Sequence, residues 1–152
     1  MTFLAIDPGL TTGWFYYHMD THQWEAGQDS FDGMAARLDL MAHGCEVFIV
    51  EKYTITSETA KKSRQTDALE VTGMIRYHAL TENAKYVNDI TPSKSKTLAT
   101  DDRLKAVGWW SPGKQHANDA ARQMFVYFVS EGYITFDFDL QPINRLQHKG
   151  LV

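Results

Sequence analysis

Two short apolar runs in this chain each end on a carboxylate, and that pairing limits what the chain can fold into. Phe3-Leu4-Ala5-Ile6 runs into Asp7, and Glu46-Val47-Phe48-Ile49-Val50 runs into Glu51. Continuous apolar runs of this length, bounded by turn-forming residues, read as buried strands. Asp7 is followed by Pro8-Gly9, two threonines and Gly13, so the chain turns as soon as the carboxylate has been delivered. Burying an ionised carboxylate costs several kcal/mol unless an opposite charge pairs with it. No basic residue lies near Asp7 in sequence, so the expected partner is a cation from outside the chain.

Around these two strands the remaining elements follow in order. Thr12 to Tyr17 and Gln23 to Gly27 are aromatic or β-compatible segments separated by a polar MDTHQ, which predicts three antiparallel strands at the start. A helix is expected from Asp32 as N-cap, with Met34, Leu38 and Met41 at helical spacing and Gly44 as its stop. Lys52 to Arg64 is polar and basic and reads as an exposed loop. It leads into a helix from about Gln65 to Leu80, whose apolar surface is assigned to Leu69, Val71, Met74, Ile75, Ala79 and Leu80. Lys85 to Ile90 is a further strand, Thr91-Pro92 opens a helical segment, and Val107 to Gln115 is a loop. Ala117, Ala120, Ala121, Met124, Phe125, Phe128 and Val129 keep an i, i+3, i+4, i+7 rhythm, the clearest helix in the chain. ITFDFD at Ile134 to Asp139 is a last strand-like piece, and the polar end from about residue 140 is expected to be flexible. A meander followed by alternating helices and strands predicts an α/β fold: a mixed sheet, three antiparallel strands then parallel ones, with helices on both faces. Asp7 and Glu51 then lie at the carboxyl ends of neighbouring central strands, the edge where open α/β sheets build sites.

At 152 residues the chain reads as one domain, and 43% apolar with 22% charged residues excludes a disordered or fibrous protein. A single cysteine, Cys45, excludes an internal disulfide framework and a cysteine-rich zinc site, and its neighbours make it a small apolar filler. The absence of a long apolar run or a signal-peptide pattern leads to the expectation of a soluble, cytoplasmic protein with no membrane contact. The net charge of −4 is unevenly spread. Before Lys52 the only Lys or Arg is Arg37, whereas from Lys52 to Arg122 basic residues outnumber acidic ones. Lys52, Lys61, Lys62 and Arg64 follow Glu51, and Lys94, Lys96, Arg103, Lys105 and Lys114 come later. Such clusters grip phosphates without reading sequence, and Tyr53, Trp109 and Trp110 are available to stack on exposed bases, with core packing the alternative for the two tryptophans.

Near the start of the long helix, His116 and Asp119 stand three residues apart on one edge. Asp7, Glu51 and Asp119 supply hard oxygen ligands that suit Mg²⁺ or Mn²⁺, and His116 either completes the shell or handles a proton. Two ions about 4 Å apart would activate a water and stabilise the leaving oxygen in phosphodiester hydrolysis, with no organic cofactor and no Ser or Cys nucleophile.

The same residues carry a family resemblance. AIDPGLTTGW at Ala5 to Trp14, IVEKY at Ile49 to Tyr53 and HANDAAR at His116 to Arg122 resemble, in order and spacing, the three catalytic segments of RuvC-type Holliday junction resolvases of the ribonuclease H-like superfamily. The resemblance runs from Met1 to about Ser130. It implies Asp7, Glu51 and Asp119 as metal-binding carboxylates and His116 as the fourth member of the site. It also implies a homodimer, in contact through the helix near Thr66 to Leu80, that nicks symmetrically related strands of a four-way DNA junction. Bacterial members carry an aromatic wedge soon after the second acidic residue; Tyr53 holds that place here, in a polar loop. The acidic amino-terminal third is expected to face away from the junction. Three other readings stand beside this one. DPGLTTG also resembles the phosphate hairpin of sugar kinases and actin-like ATPases, whose duplicated second half this chain is too short to hold. A nuclease for forks, flaps or RNA/DNA hybrids keeps the chemistry and changes the substrate. A non-catalytic DNA-binding dimer keeps only the fold.

Overall fold

The expected meander opens the chain, and the alternating elements that follow wrap its sheet from both sides. A computed structural model describes residues 1–62, 65–136 and 146–148, the side chains at 61, 62, 65, 136 and 146–148 excepted. Strands β1 (Thr2–Asp7), β2 (Thr12–His18) and β3 (Gln23–Asp29) precede helix α1 (Phe31–Met41) and strand β4 (Val47–Val50). Helices α2 (Thr59–Lys62) and α3 (Gln65–Thr81), strand β5 (Lys85–Val87) and helices α4 (Pro92–Leu98), α5 (Asp101–Ala106) and α6 (Gln115–Ser130) follow. β6 (Ile134–Phe136) and β7 (Leu146–His148) form a separate antiparallel pair.

The main sheet is mixed, in the order β3-β2-β1-β4-β5. β1 pairs antiparallel with β2 and parallel with β4, and β4 pairs parallel with β5. The period-2 alternation of strand side chains divides the core in two. Phe3, Ala5, Phe15, Tyr17, Val47 and Ile49 face a cluster built with Ala120, Ala121, Met124, Phe125 and Phe128 of α6. Leu4, Ile6, Trp14, Phe48 and Val50 face Met34 and Leu38 of α1 with Val71, Ile75 and Ala79 of α3. Burial on both faces explains why β1 and β4 are apolar throughout rather than alternating.

Several local expectations are corrected. Ser30, not Asp32, caps α1: its hydroxyl accepts from the Gly33 N–H, and Asp32 lies in the first turn. Leu69 and Leu80 do not pack inward but are 47% and 73% exposed, because the buried stripe of α3 runs through Ala68, Val71, Ile75 and Ala79. β5 stops at Val87, short of Ile90. Thr91 and Pro92 do open α4, Thr91 accepting from the Lys94 N–H. Cys45 is buried as expected, and burial pushes its thiol up to about 12. The strand-like run at 137–139 and most of the tail from 140 lie outside the described residues; within it, Leu146–His148 pair with β6. Among the described residues no helix is long and apolar enough to cross a membrane.

Candidate metal centre

Parallel pairing of β1 with β4 brings the two strand-ending carboxylates to one edge of the sheet. Ile6 is in register with Val50, and the Glu51 N–H still donates to the Ile6 carbonyl at 3.2 Å, so Glu51 leaves the ladder beside Asp7. The amino-terminal half of α6 crosses the same edge. Its small inward residues, Ala117, Ala120 and Ala121, are all fully buried and let the helix approach the strands closely. Gly13, in register with Asp7 on β2, completes the fit: a Cβ there would lie 1.9 Å from the His116 carbonyl oxygen. No side chain other than hydrogen fits between β2 and the first turn of α6.

Asp7, His116 and Asp119 thus converge, with one ligand atom from each lying within 4.8 Å of the others. His116 Nδ1 lies 3.0 Å from Asp7 Oδ2, within hydrogen-bond distance. The partner that sequence reasoning sought outside the chain for Asp7 is therefore supplied in part from inside it. Burial pushes the Asp7 carboxyl up to about 6; the His116 hydrogen bond opposes the shift and the charge of Asp119 adds to it. Glu51 stands outside the group of three and feels it through space. Burial first, then the charges of Asp7 and Asp119, push Glu51 up to about 7. Three carboxylates crowded at a desolvated edge, with one half-exposed histidine among them, repel one another and attract a divalent cation.

Three supporting residues carried no signal in the sequence. Gln123, on α6 two turns after His116, is fully buried, and its Nε2 donates to Glu51 Oε2 at 2.7 Å. Among the described residues its Oε1 is buried without a hydrogen-bond partner. Arg122 Nε donates to Asp119 Oδ1 at 3.2 Å and is itself anchored on the Ala99 carbonyl and on Asp101. Asn118 exchanges hydrogen bonds with the Ser111 backbone, at 2.8 and 2.9 Å, and ties the loop before α6 to its first turn. Arg122 and Asn118 lie inside the HANDAAR run, but their partners are distant in sequence or on the backbone. Gln123 follows that run in a helix whose rhythm marks the position only as inward.

The basic residues divide. Lys52, Lys94, Lys96 and Lys114 are exposed, and Tyr53 is partly buried in the loop after Glu51. Lys96 lies near enough to Asp7 and Glu51 for its charge to lower both carboxyls. Lys61 and Lys62 belong to α2 by backbone, their side chains and all of Arg64 lying outside the described residues. Of the two tryptophans, Trp109 is 2% exposed and packs on Phe15, Tyr17, Phe125 and Phe128, so it is core and offers no face to a base. Trp110 is only partly buried against the same cluster. Compared with known protein families and with characterised proteins, the sequence matches none of them.

Proposed function

We propose that this chain is a metal-dependent nuclease of ribonuclease H-like fold that acts on branched DNA, resolving four-way junctions by paired nicks as a homodimer. The observation that carries the reading is the convergence of Asp7, His116 and Asp119 within 4.8 Å, with the Glu51 carboxyl beside them, at the carboxyl edge of β1 and β4. The order β3-β2-β1-β4-β5, antiparallel then parallel, supports the fold assignment.

The donor set fits a hard divalent ion. Carboxylate oxygens with one imidazole suit Mg²⁺ or Mn²⁺, and the chain's only thiol is buried elsewhere. Asp7 and Asp119, with His116, would hold one such ion, and a second would need Glu51, which stands outside that group, to share it with Asp7. Bound there, the metal supplies an acidified water and a Lewis acid for the phosphodiester oxygens. Gln123 holds Glu51 in one orientation, and Arg122 does the same for Asp119. His116, within hydrogen-bond distance of Asp7 through Nδ1, has one other ring nitrogen, which serves either as a ligand to the ion or as a proton acceptor, not both. Lys96 and the other exposed lysines hold the phosphate backbone. Leu69, Tyr77 and Leu80 form an exposed apolar stripe on α3, at 47%, 64% and 73% exposure, and this favours α3 as the dimer contact.

The test compares junction, fork, flap, linear duplex and RNA/DNA hybrid in Mg²⁺ or Mn²⁺. Symmetric nicks on the junction are expected, with Asp7→Asn reducing cleavage to background while retaining DNA binding. Preferential cutting of another substrate reassigns the substrate. Wild-type cleavage by the Asp7→Asn protein overturns the metal site. Independently of activity, Mn²⁺ is expected to raise the melting temperature of the wild type and not that of Asp7→Asn.

A further inference from the structure

Beside the carboxylates lies a cavity of about 660 Å³, walled by the carboxyl end of α4, the start of α5, the loop before α6 and α6 itself. Asp119 is one of its lining residues, so the cavity and the candidate metal centre share that side chain. Its volume lies in the range of sites for small organic ligands. Four further residues give it a chemical character: Trp110, Lys96, Lys114 and Arg122. Arg122 is already engaged by Asp119 and Asp101, and its single charge offsets one of those two carboxylates. Lys96 and Lys114 make no ion pair among the described residues, and Lys96 also lies near enough to Asp7 and Glu51 for its charge to act on both. The indole of Trp110 rests partly on the core, and Lys105 Nζ lies 4.9 Å from its ring centroid. Trp110 is among the residues that line the cavity, and Lys105 is not. An aromatic ring flanked by unpaired lysines is the arrangement by which proteins hold single-stranded nucleic acid, base on ring and phosphate on ammonium.

We propose that this cleft binds one unstacked nucleotide of the DNA strand being cut, its base on Trp110 and its phosphates on Lys96 and Lys114. The proposal rests on the nuclease reading and deepens it. Because Asp119 belongs to both the cleft and the metal centre, a base seated on Trp110 belongs to a nucleotide adjoining the scissile phosphate. A continuous duplex has to unstack that base, whereas a branch point offers bases already loosened. The cleft therefore favours branched over linear DNA without reading sequence, since every base has a stacking face.

The test measures binding of a fluorescent thymidine oligonucleotide and of an abasic strand of equal length, without metal, by anisotropy. Wild type is expected to bind the thymidine strand about tenfold more tightly, at the low end of base–aromatic stacking. Trp110→Ala should erase that difference and Trp110→Phe keep part of it, while Lys96→Gln with Lys114→Gln weakens both strands alike and lowers the salt slope. Photocrosslinking of a 5-iodouracil strand to the wild-type protein, which requires no substitution, is expected to label Trp110. Equal binding of the two strands by wild type, a base preference that survives Trp110→Ala, or a crosslink mapped elsewhere overturns the proposal. The nuclease reading fails separately. A protein whose Trp110 confers base preference but which cuts no DNA in Mn²⁺ keeps the cleft and loses the nuclease. One that cuts junctions while binding both strands equally keeps the nuclease and loses the cleft.

Discussion

At their amino ends, β1 and β4 meet charges that water reaches. The Met1 ammonium lies 2.9 Å from Asp20 and 3.6 Å from Glu46, and Glu46 also accepts from the Thr2 N–H. Asp20 holds its carboxyl below the usual range through the terminal ammonium, and every acid there has an opposite charge or a donor close by. At their carboxyl ends the same strands place Asp7 and Glu51 among buried groups, where desolvation raises both. At one end of the strand pair the acids stay in water, each beside a donor or the terminal ammonium. The other buries two carboxyls whose desolvation the nearby His116 and Lys96 offset only in part. Edges that serve stability and edges that serve a ligand differ in this way, and functional sites are where strain and unbalanced charge concentrate.

The comparison can be broken most severely at Gly13. Gly13→Ala forces a methyl against the His116 backbone, and a loss of about 3 kcal/mol in urea unfolding is expected, with the α6 terminus driven from the carboxylates. An unchanged midpoint would mean that the close contact does not set the site. Next comes Gln123→Leu, which leaves Glu51 without its donor while replacing a half-satisfied amide by an apolar group of similar size. Cleavage is expected to fall about 10- to 100-fold, and stability by only about 1 kcal/mol, because the Glu51 oxygen that loses its donor is partly offset by removal of the unpartnered amide oxygen. Loss of stability in step with activity would make Gln123 a packing residue.

A pH titration of metal-free protein sharpens the contrast further. Asp7 and Glu51 bind protons more tightly folded than unfolded, so their contribution to stability is complete at low pH and is lost as pH rises from about 4 to about 7. Glu51→Gln should flatten part of that slope and stabilise the metal-free protein by about 2 kcal/mol above about pH 7. A wild-type stability that rises over this range contradicts the buried, unbalanced edge. The smallest effect belongs to the opposite edge, where Asp20→Asn is expected to leave the melting temperature unchanged because its ion pair is exposed to solvent.

Much of the site could be read along the chain because the chemistry sits where regular structure ends. Asp7 and Glu51 close apolar runs, which alone placed those two at one sheet edge, and His116 and Asp119 share one edge of the most regular amphipathic helix. Gln123 and Gly13 could not be found that way. A buried position on a helix shows which way a residue faces and not what it will meet, and the role of Gly13 depends on a backbone contact more than a hundred residues away. The two tryptophans make the same point: adjacent in sequence and chemically identical, they divide because one points under α6 and the other beside it.

The amino-acid sequence by itself determined the strand and helix order, the segregation of charge and the acidic residues available to a metal, since periodicity, turn chemistry and composition are local properties. Only the tertiary structure decided that His116 answers Asp7, that Gln123 holds Glu51, and that Trp110 alone of the pair borders a cleft. Those are contacts between distant segments. Their geometry follows from how closely α6 can approach the sheet, and that distance is set by Gly13 and the alanines of its first two turns.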